Sequence, residues 1–234
     1  MEAEPASAVP PLRSAVISFV GAAGGAVDVD ASVLRKGKAV AFVTSALLAE
    51  SKKGGKGTAT SGTFLFGAAR LQSSIDARLV QPPPSLPGPD SCGSLFGGAW
   101  APPVFTQHFE ARLAAGALPG TGAPQADLLV WVRHAGADEQ SGGVDSVAAE
   151  VAMLALADML PPAACSLFPH EAPVSSATWH LNMLSTTPNP YPGGWWLLRT
   201  RCEHAQHGYS SQDMEVWGRN GCAVVGRQCV AIYA

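Results

Sequence analysis

Residues 147–162 read VAAEVAMLALADMLPP, and this stretch decides the fold. Ala, Leu, Met and Glu favour helix, and a Pro-Pro pair ends any helix that reaches it. The pattern predicts a helix over 147–160, entered from a loop at 141–144, with Asp145 or Ser146 placed to cap it. At 100° per residue, Val147, Val151, Leu154 and Asp158 share one stripe, while Met153, Leu156 and Leu160 cover the opposite side. A helix apolar nearly all round is expected to be buried on all sides. A curled antiparallel sheet wrapped around it would achieve that.

The flanks supply the strands. Downstream of the helix, residues 176–184, 195–204, 210–217 and 223–233 read as an antiparallel meander, with Gly218-Arg219-Asn220-Gly221 marking one turn. Upstream, 105–113 and 128–133 read as strands. Further back, roughly residues 12–75 are strand-like. Val27, Val29, Ala31 and Val33 alternate with polar residues, Arg35-Lys36-Gly37-Lys38 signals a turn, and 40–44 and 63–66 are apolar runs. The Lys/Gly-rich stretch at 51–57 reads as a solvated hairpin loop, because it lacks the closing Gly-Lys-Ser/Thr of a phosphate cradle.

Between the two blocks lies QPPPSLPGPDSCGSLFGGAWAPPV, residues 81–104, too rich in Pro and Gly for a helix or central strand. The chain therefore divides into 12–80, a linker at 81–104, and 105–234. Leu34-Arg35-Lys36-Gly37 and Ala205-Gln206-His207-Gly208 each precede two strands joined by a turn, a pattern that suggests a duplicated unit. Only eleven residues precede Leu12, too few for a strand plus a long helix, so the first unit is expected to lack its helix. The fold class is α+β.

Composition narrows the function. Of the 234 residues, 47% are hydrophobic and only 14% charged, about half the globular norm of roughly 25%, which excludes a disordered chain. A net charge of −3 and a pI near 6.0 exclude the strongly basic balance of a nucleic-acid binder or a polybasic membrane anchor. The five cysteines form no CxxC pair, which points to free thiols in a reducing compartment. The start, Met-Glu-Ala-Glu-Pro-Ala-Ser, lacks the basic and apolar regions of a signal peptide, and no apolar run reaches the ~18–20 residues of a membrane span. The expectation is a cytoplasmic protein.

Against so few charges, three polar residues stand out. Asp158 lies on an apolar helix stripe, where a carboxylate either frays into water before Pro161 or becomes a partly buried base with a perturbed pKa. Gln228 shares a strand face with Val224, Val230 and Ile232, so it must satisfy either backbone groups or a site. Thr178 alternates with Ser176, His180 and Asn182 opposite Ala177, Trp179, Leu181 and Met183, on a polar face that is open to solvent, to a contact or to a site. No GxSxG elbow and no GxGxxG fingerprint occurs. His180, His204 and His207 have no completing Cys or carboxylate spacing, so neither a metal nor a cofactor is expected. Trp195-Trp196 puts one indole on each face of a strand, as core packing would.

The segments Gly194-Trp195-Trp196-Leu197-Leu198-Arg199-Thr200-Arg201, Gly208-Tyr209-Ser210-Ser211-Gln212-Asp213 and 225–232 (VGRQCVAI) resemble the acyl-CoA thioesterase II-like, double hot-dog superfamily. Leu154 to Pro161 resembles the end of that family's helix, and Ser176-Ala177-Thr178-Trp179 the strand after it. The resemblance implies antiparallel sheets gripping a central helix, twice over, with acyl thioesters bound between units. It implies a water oriented by an Asp, a Thr or Ser, and a Gln, which carry over to Asp158, Thr178 and Gln228. It also implies a thioester hydrolase acting on acyl-CoA or acyl-carrier substrates without cofactor or metal, in chains that commonly pair as homo-oligomers. A non-catalytic hot-dog protein that binds acyl ligands or serves in assembly is the alternative. A dehydratase or isomerase would need a His beside the acid. Two departures matter: the first unit lacks its strand and helix, so either the chain begins late or a partner fills the gap, and Ser61-Gly62-Thr63 stands where Gln228 would recur.

Overall fold

Ten strands form one antiparallel sheet in a computed structural model that describes residues 10–50, 54–70, 75, 77–96, 102–136, 146–185 and 189–233. In chain order they are β1 (Leu12–Phe19), β2 (Val27–Lys36), β3 (Val40–Glu50), β4 (Lys56–Gly67), β5 (Phe109–Ala115), β6 (Asp127–His134), β7 (Val174–Met183), β8 (Trp196–Gln206), β9 (Tyr209–Gly218) and β10 (Gly221–Ile232). The single α-helix of the described residues, α1 (Ser146–Ala157), lies between β6 and β7 in sequence. Across the sheet the order is β2-β3-β4-β1-β7-β10-β9-β8-β6-β5. Outward from the β1–β7 seam, each side therefore meets one lone strand and then a meander in reverse: β4, β3, β2 on one side and β10, β9, β8 on the other.

The helix packs where its large apolar residues can leave water. Met153, Leu156 and Ala157, with Met159 just beyond, join Val130, Val132, Trp179, Leu181, Leu198, Val216 and Val224 in the main core. Burying Leu156, 1% exposed, contributes about 2–3 kcal/mol. On the other face of the sheet Leu129, Trp131, Trp195, Leu197 and Trp217 form a second cluster. Trp196 and Trp195 thus sit in different clusters, one indole per face, as strand alternation requires.

Three expectations need correction. The helix is not enclosed on all sides: Val151 is 59% exposed, and Ala155 and Asp158 are exposed with it. One sheet covers one side of a cylinder; the helix is further tied where Glu150 Oε1 accepts the Leu12 N–H at 2.8 Å and where His134 Nε2 meets Ala152 O at 3.0 Å. The helix also ends early. Pro161 has no N–H to continue the ladder and disfavours helical geometry at Leu160, so the chain tightens after Ala157, with Met159 N–H donating to Leu156 O. Residues 104–108 form a 3-10 turn before the strand begins at Phe109, because both the N–H and the hydroxyl of Thr106 close on Pro103 O. The Pro-rich segment 81–104 lies against the sheet: Trp131 Nε1 donates to Pro87 O at 2.8 Å, and Leu95 is fully buried. The loop at 141–144 and the cap at Asp145 lie outside the described residues.

The first four strands are thinly covered. Every residue of β2 is exposed, and Val16, Val29 and Val33 present apolar surface. No helix of the described residues is long and apolar enough to cross a membrane.

Candidate active site

Gln228 is placed by its ladder. On β10, Val224, Gln228 and Val230 turn inward while Arg227 faces water, as alternation predicts. Gln228 stands directly opposite Trp179 of β7 and Gln212 of β9, and all three are buried on the helix side of the sheet. Its amide Nε2 donates to Asp158 Oδ1 at 3.3 Å, and its Oε1 accepts from Gln212 Nε2 at 2.7 Å. Gln212 Oε1 in turn accepts the backbone N–H of Ala163 at 2.9 Å. A three-bond relay thus runs from the turn after Pro161-Pro162 to the carboxylate.

Asp158 occupies the first position past the helix. The early end of α1 frees it from the helix stripe, and it opens onto a cavity of about 420 Å³ that Gln228 also lines. Met159, Leu160, Pro161, Val174 and Phe105 make the walls largely apolar. Solvent reaches Asp158, yet burial pushes its pKa up to about 6, against the pull of the Gln228 amide, which favours the ionised form. The two facts agree because the opening is a concave apolar pocket, which solvates an ion less well than bulk water does. Asp158 thus reaches water without bulk solvation of its charge.

Thr178 does not join them. It is paired with Cys229 of β10 and Ser18 of β1, is exposed, and faces away from the core that Trp179 enters. The register of β7 against β10 shifts between these pairs, so that Val230 stands opposite Ser176 and Ala177 is the extra residue of a β-bulge. The bulge reverses the alternation upstream of it. Ser176, assigned by strict alternation to the face of Thr178, is instead on the core side and lines the cavity with Asp158 and Gln228. Alternation also failed to single out Gln212. It lies between Ser210 and Met214 on the buried face of β9, and an in-register reading of the Gly218–Gly221 hairpin would have brought it near Gln228. A bulge at Ala223 completes the match by shifting the pairing one residue.

Cys165 also lines the cavity, and burial pushes its thiol up to about 11. A second cavity of about 590 Å³, bounded by residues 77–80, Trp217 and Cys222, has no carboxylate among its described lining residues. Among the described residues no three His, Cys, Asp or Glu side chains converge as a metal site would need. The arrangement of Asp158 and Gln228 can take a proton from a water at one atom and donate a hydrogen bond from the next.

A family model of the acyl-CoA thioesterase C-terminal domain matches residues 80–232. The structure is similar to a hot-dog-fold protein of unknown function from Alicyclobacillus acidocaldarius, with a TM-score of 0.78 at 20% identity, covering 99% of this chain and 82% of that one. It is also similar to an acyl-CoA thioesterase II from Mycobacterium marinum, with a TM-score of 0.68 at 17% identity, covering 96% and 81%. At such identities the likeness establishes a hot-dog fold. No curated protein matches the sequence.

Proposed function

The chain belongs to the acyl-CoA thioesterase C-terminal domain family, and from that premise we propose that it hydrolyses acyl thioesters with a water held between Asp158 and Gln228. The observation that carries this reading is the Gln228 amide donating to the Asp158 carboxylate on the wall of an open pocket. One N–H of Gln228 Nε2 is used on Asp158, and the other is left for the water or the thioester carbonyl. Asp158 takes a proton as the water oxygen bonds to the carbonyl carbon. The tetrahedral intermediate collapses by breaking the C–S bond, and the leaving thiolate recovers the proton. The products are a carboxylic acid and a thiol. The hydroxyl of this site is assigned to Ser176 in place of Thr178.

Acyl-CoA or acyl-carrier thioesters are the proposed substrates, with no cofactor in the reaction. The mirrored strand order on either side of the β1–β7 seam supports reading the chain as two hot-dog units, 12–80 without a helix and 105–234 with one, joined by 81–104. Five unpaired cysteines suit a cytoplasmic setting.

The test is hydrolysis of a panel of acyl-CoAs by the wild type and by Asp158→Asn. Turnover by the wild type and its loss in the variant is expected. Equal turnover by both would remove Asp158 from the mechanism. Saturable binding without turnover would favour the non-catalytic acyl-binding protein.

A further inference from the structure

Amide side chains carry a donor and an acceptor of nearly the same shape, so a glutamine beside a carboxylate needs something to tell it which end to present. The relay supplies that information. The Ala163 N–H can only donate, which obliges Gln212 to turn Oε1 toward it. Gln212 must then offer Nε2 to Gln228, which accepts through Oε1 and is left with Nε2 facing Asp158. Reversing either amide would set donor against donor at Ala163 or oxygen against carboxylate at Asp158. Gln212 is 2% exposed and Gln228 5% exposed, so bulk water cannot substitute for a lost partner.

We propose that Gln212 is a positioning residue: it reads the fixed polarity of the Ala163 backbone amide and passes it through Gln228, so that a donor always meets Asp158. This inference rests on Asp158 being the water-holding base, but the relay itself can be tested without turnover. Gln212 has no hydrogen bond to Asp158 and does not line the cavity; it reaches the carboxylate through Gln228 or through the turn at Ala163, and the double variant separates the two routes.

The measurement is the Asp158 carboxyl titration, followed by carbon NMR in the wild type, Gln212→Leu, Gln228→Leu and the double variant, beside kcat on an acyl-CoA. Removing Gln212 frees Gln228 to present its oxygen, so the Asp158 midpoint is expected to move up by about half a pH unit. In Gln212→Leu, kcat is expected to fall about fivefold to tenfold at little cost in KM, the order of one hydrogen bond. In the Gln228→Leu background, adding Gln212→Leu is expected to change neither readout further.

Additive effects in the double variant would mean that Gln212 acts only through packing, and an unmoved Asp158 midpoint in Gln212→Leu would overturn the relay. Should Gln212→Leu fail to fold, the nearly isosteric Gln212→Glu gives the same answer. Once ionised, the carboxylate that this substitution introduces accepts from both neighbours and reverses Gln228, so the Asp158 midpoint is expected to rise more than in Gln212→Glu with Gln228→Leu, where only the charge acts; equal rises in the two would overturn the relay. Absence of thioester turnover in the wild type would sink the functional reading alone, since the titrations stand without it.

Discussion

The strands β1, β4, β3 and β2 stand on one side of a seam in the same order as β7, β10, β9 and β8 on the other, but only the second set has a helix packed across it among the described residues. In the first half Ser61, Gly62 and Thr63 of β4 occupy the place where the sequence pattern would repeat Gln228. They line a shallow groove with Ser32, Thr44 and an exposed Asp30. In the second half the helix end brings a carboxylate against a buried amide and surrounds both with apolar groups. A sheet can present polar side chains anywhere along its strands. The desolvation that shifts a carboxylate's titration comes from the helix end and the Pro-Pro turn laid over the sheet.

That contrast can be broken by substitution. Asp158→Asn is expected to lower kcat/KM on an acyl thioester about 100- to 1,000-fold, the usual worth of a general base, while Ser61→Ala with Thr63→Ala leaves it within about twofold. Comparable losses from both would make the halves equivalent in chemistry. The same contrast in packing is read by urea unfolding. Leu156→Ala is expected to cost about 2–5 kcal/mol, whereas Val33→Ala on exposed β2 stays within about 0.5 kcal/mol.

A pH series sharpens the electrostatic side. In the proposed mechanism the rate requires ionised Asp158, so kcat/KM is expected to rise with pH through a midpoint at about 6. Stability has the opposite sign. The folded carboxyl titrates above its unfolded value of roughly 3.9, so the folded state binds the extra proton between about pH 4 and 6. Stability is lost as pH rises through that window, and Asp158→Asn is expected to have the higher Tm at pH 8 with no such gain at pH 4. A Tm difference independent of pH would refute this. The smallest effect separates two hydroxyls two residues apart: Ser176→Ala is expected to reduce kcat about fivefold, and Thr178→Ala to leave it unchanged. The reverse result would restore Thr178 to the site.

Much of this was legible in the sequence, and the misses share a cause. Alternation found the strands and put Gln228 inward, the Pro-Pro pair stopped the helix, and scarce charge drew attention to Asp158. Alternation places Thr178 correctly, opposite Trp179, and only the family resemblance carries it into the site, whereas Ser176 and Gln212 escape the reading because β-bulges at Ala177 and Ala223 each insert one residue into a ladder. A single extra residue exchanges the two faces of a strand, and a sequence with period two carries no mark of where that happens. The helix was expected to be sealed because its composition is apolar all round, yet composition does not say how many sides the rest of the fold can cover.

The buried thiol of Cys165 has a consequence for how cleanly such a pocket can work. A thioester passing close to a thiolate exchanges its acyl group with it, and the enzyme would end as its own dead-end product. Burial pushes the Cys165 thiol up to about 11, which holds it in the protonated form at neutral pH. If the cavity takes a thioester as proposed, a protonated sulfur in its wall is a poor acceptor for the acyl group.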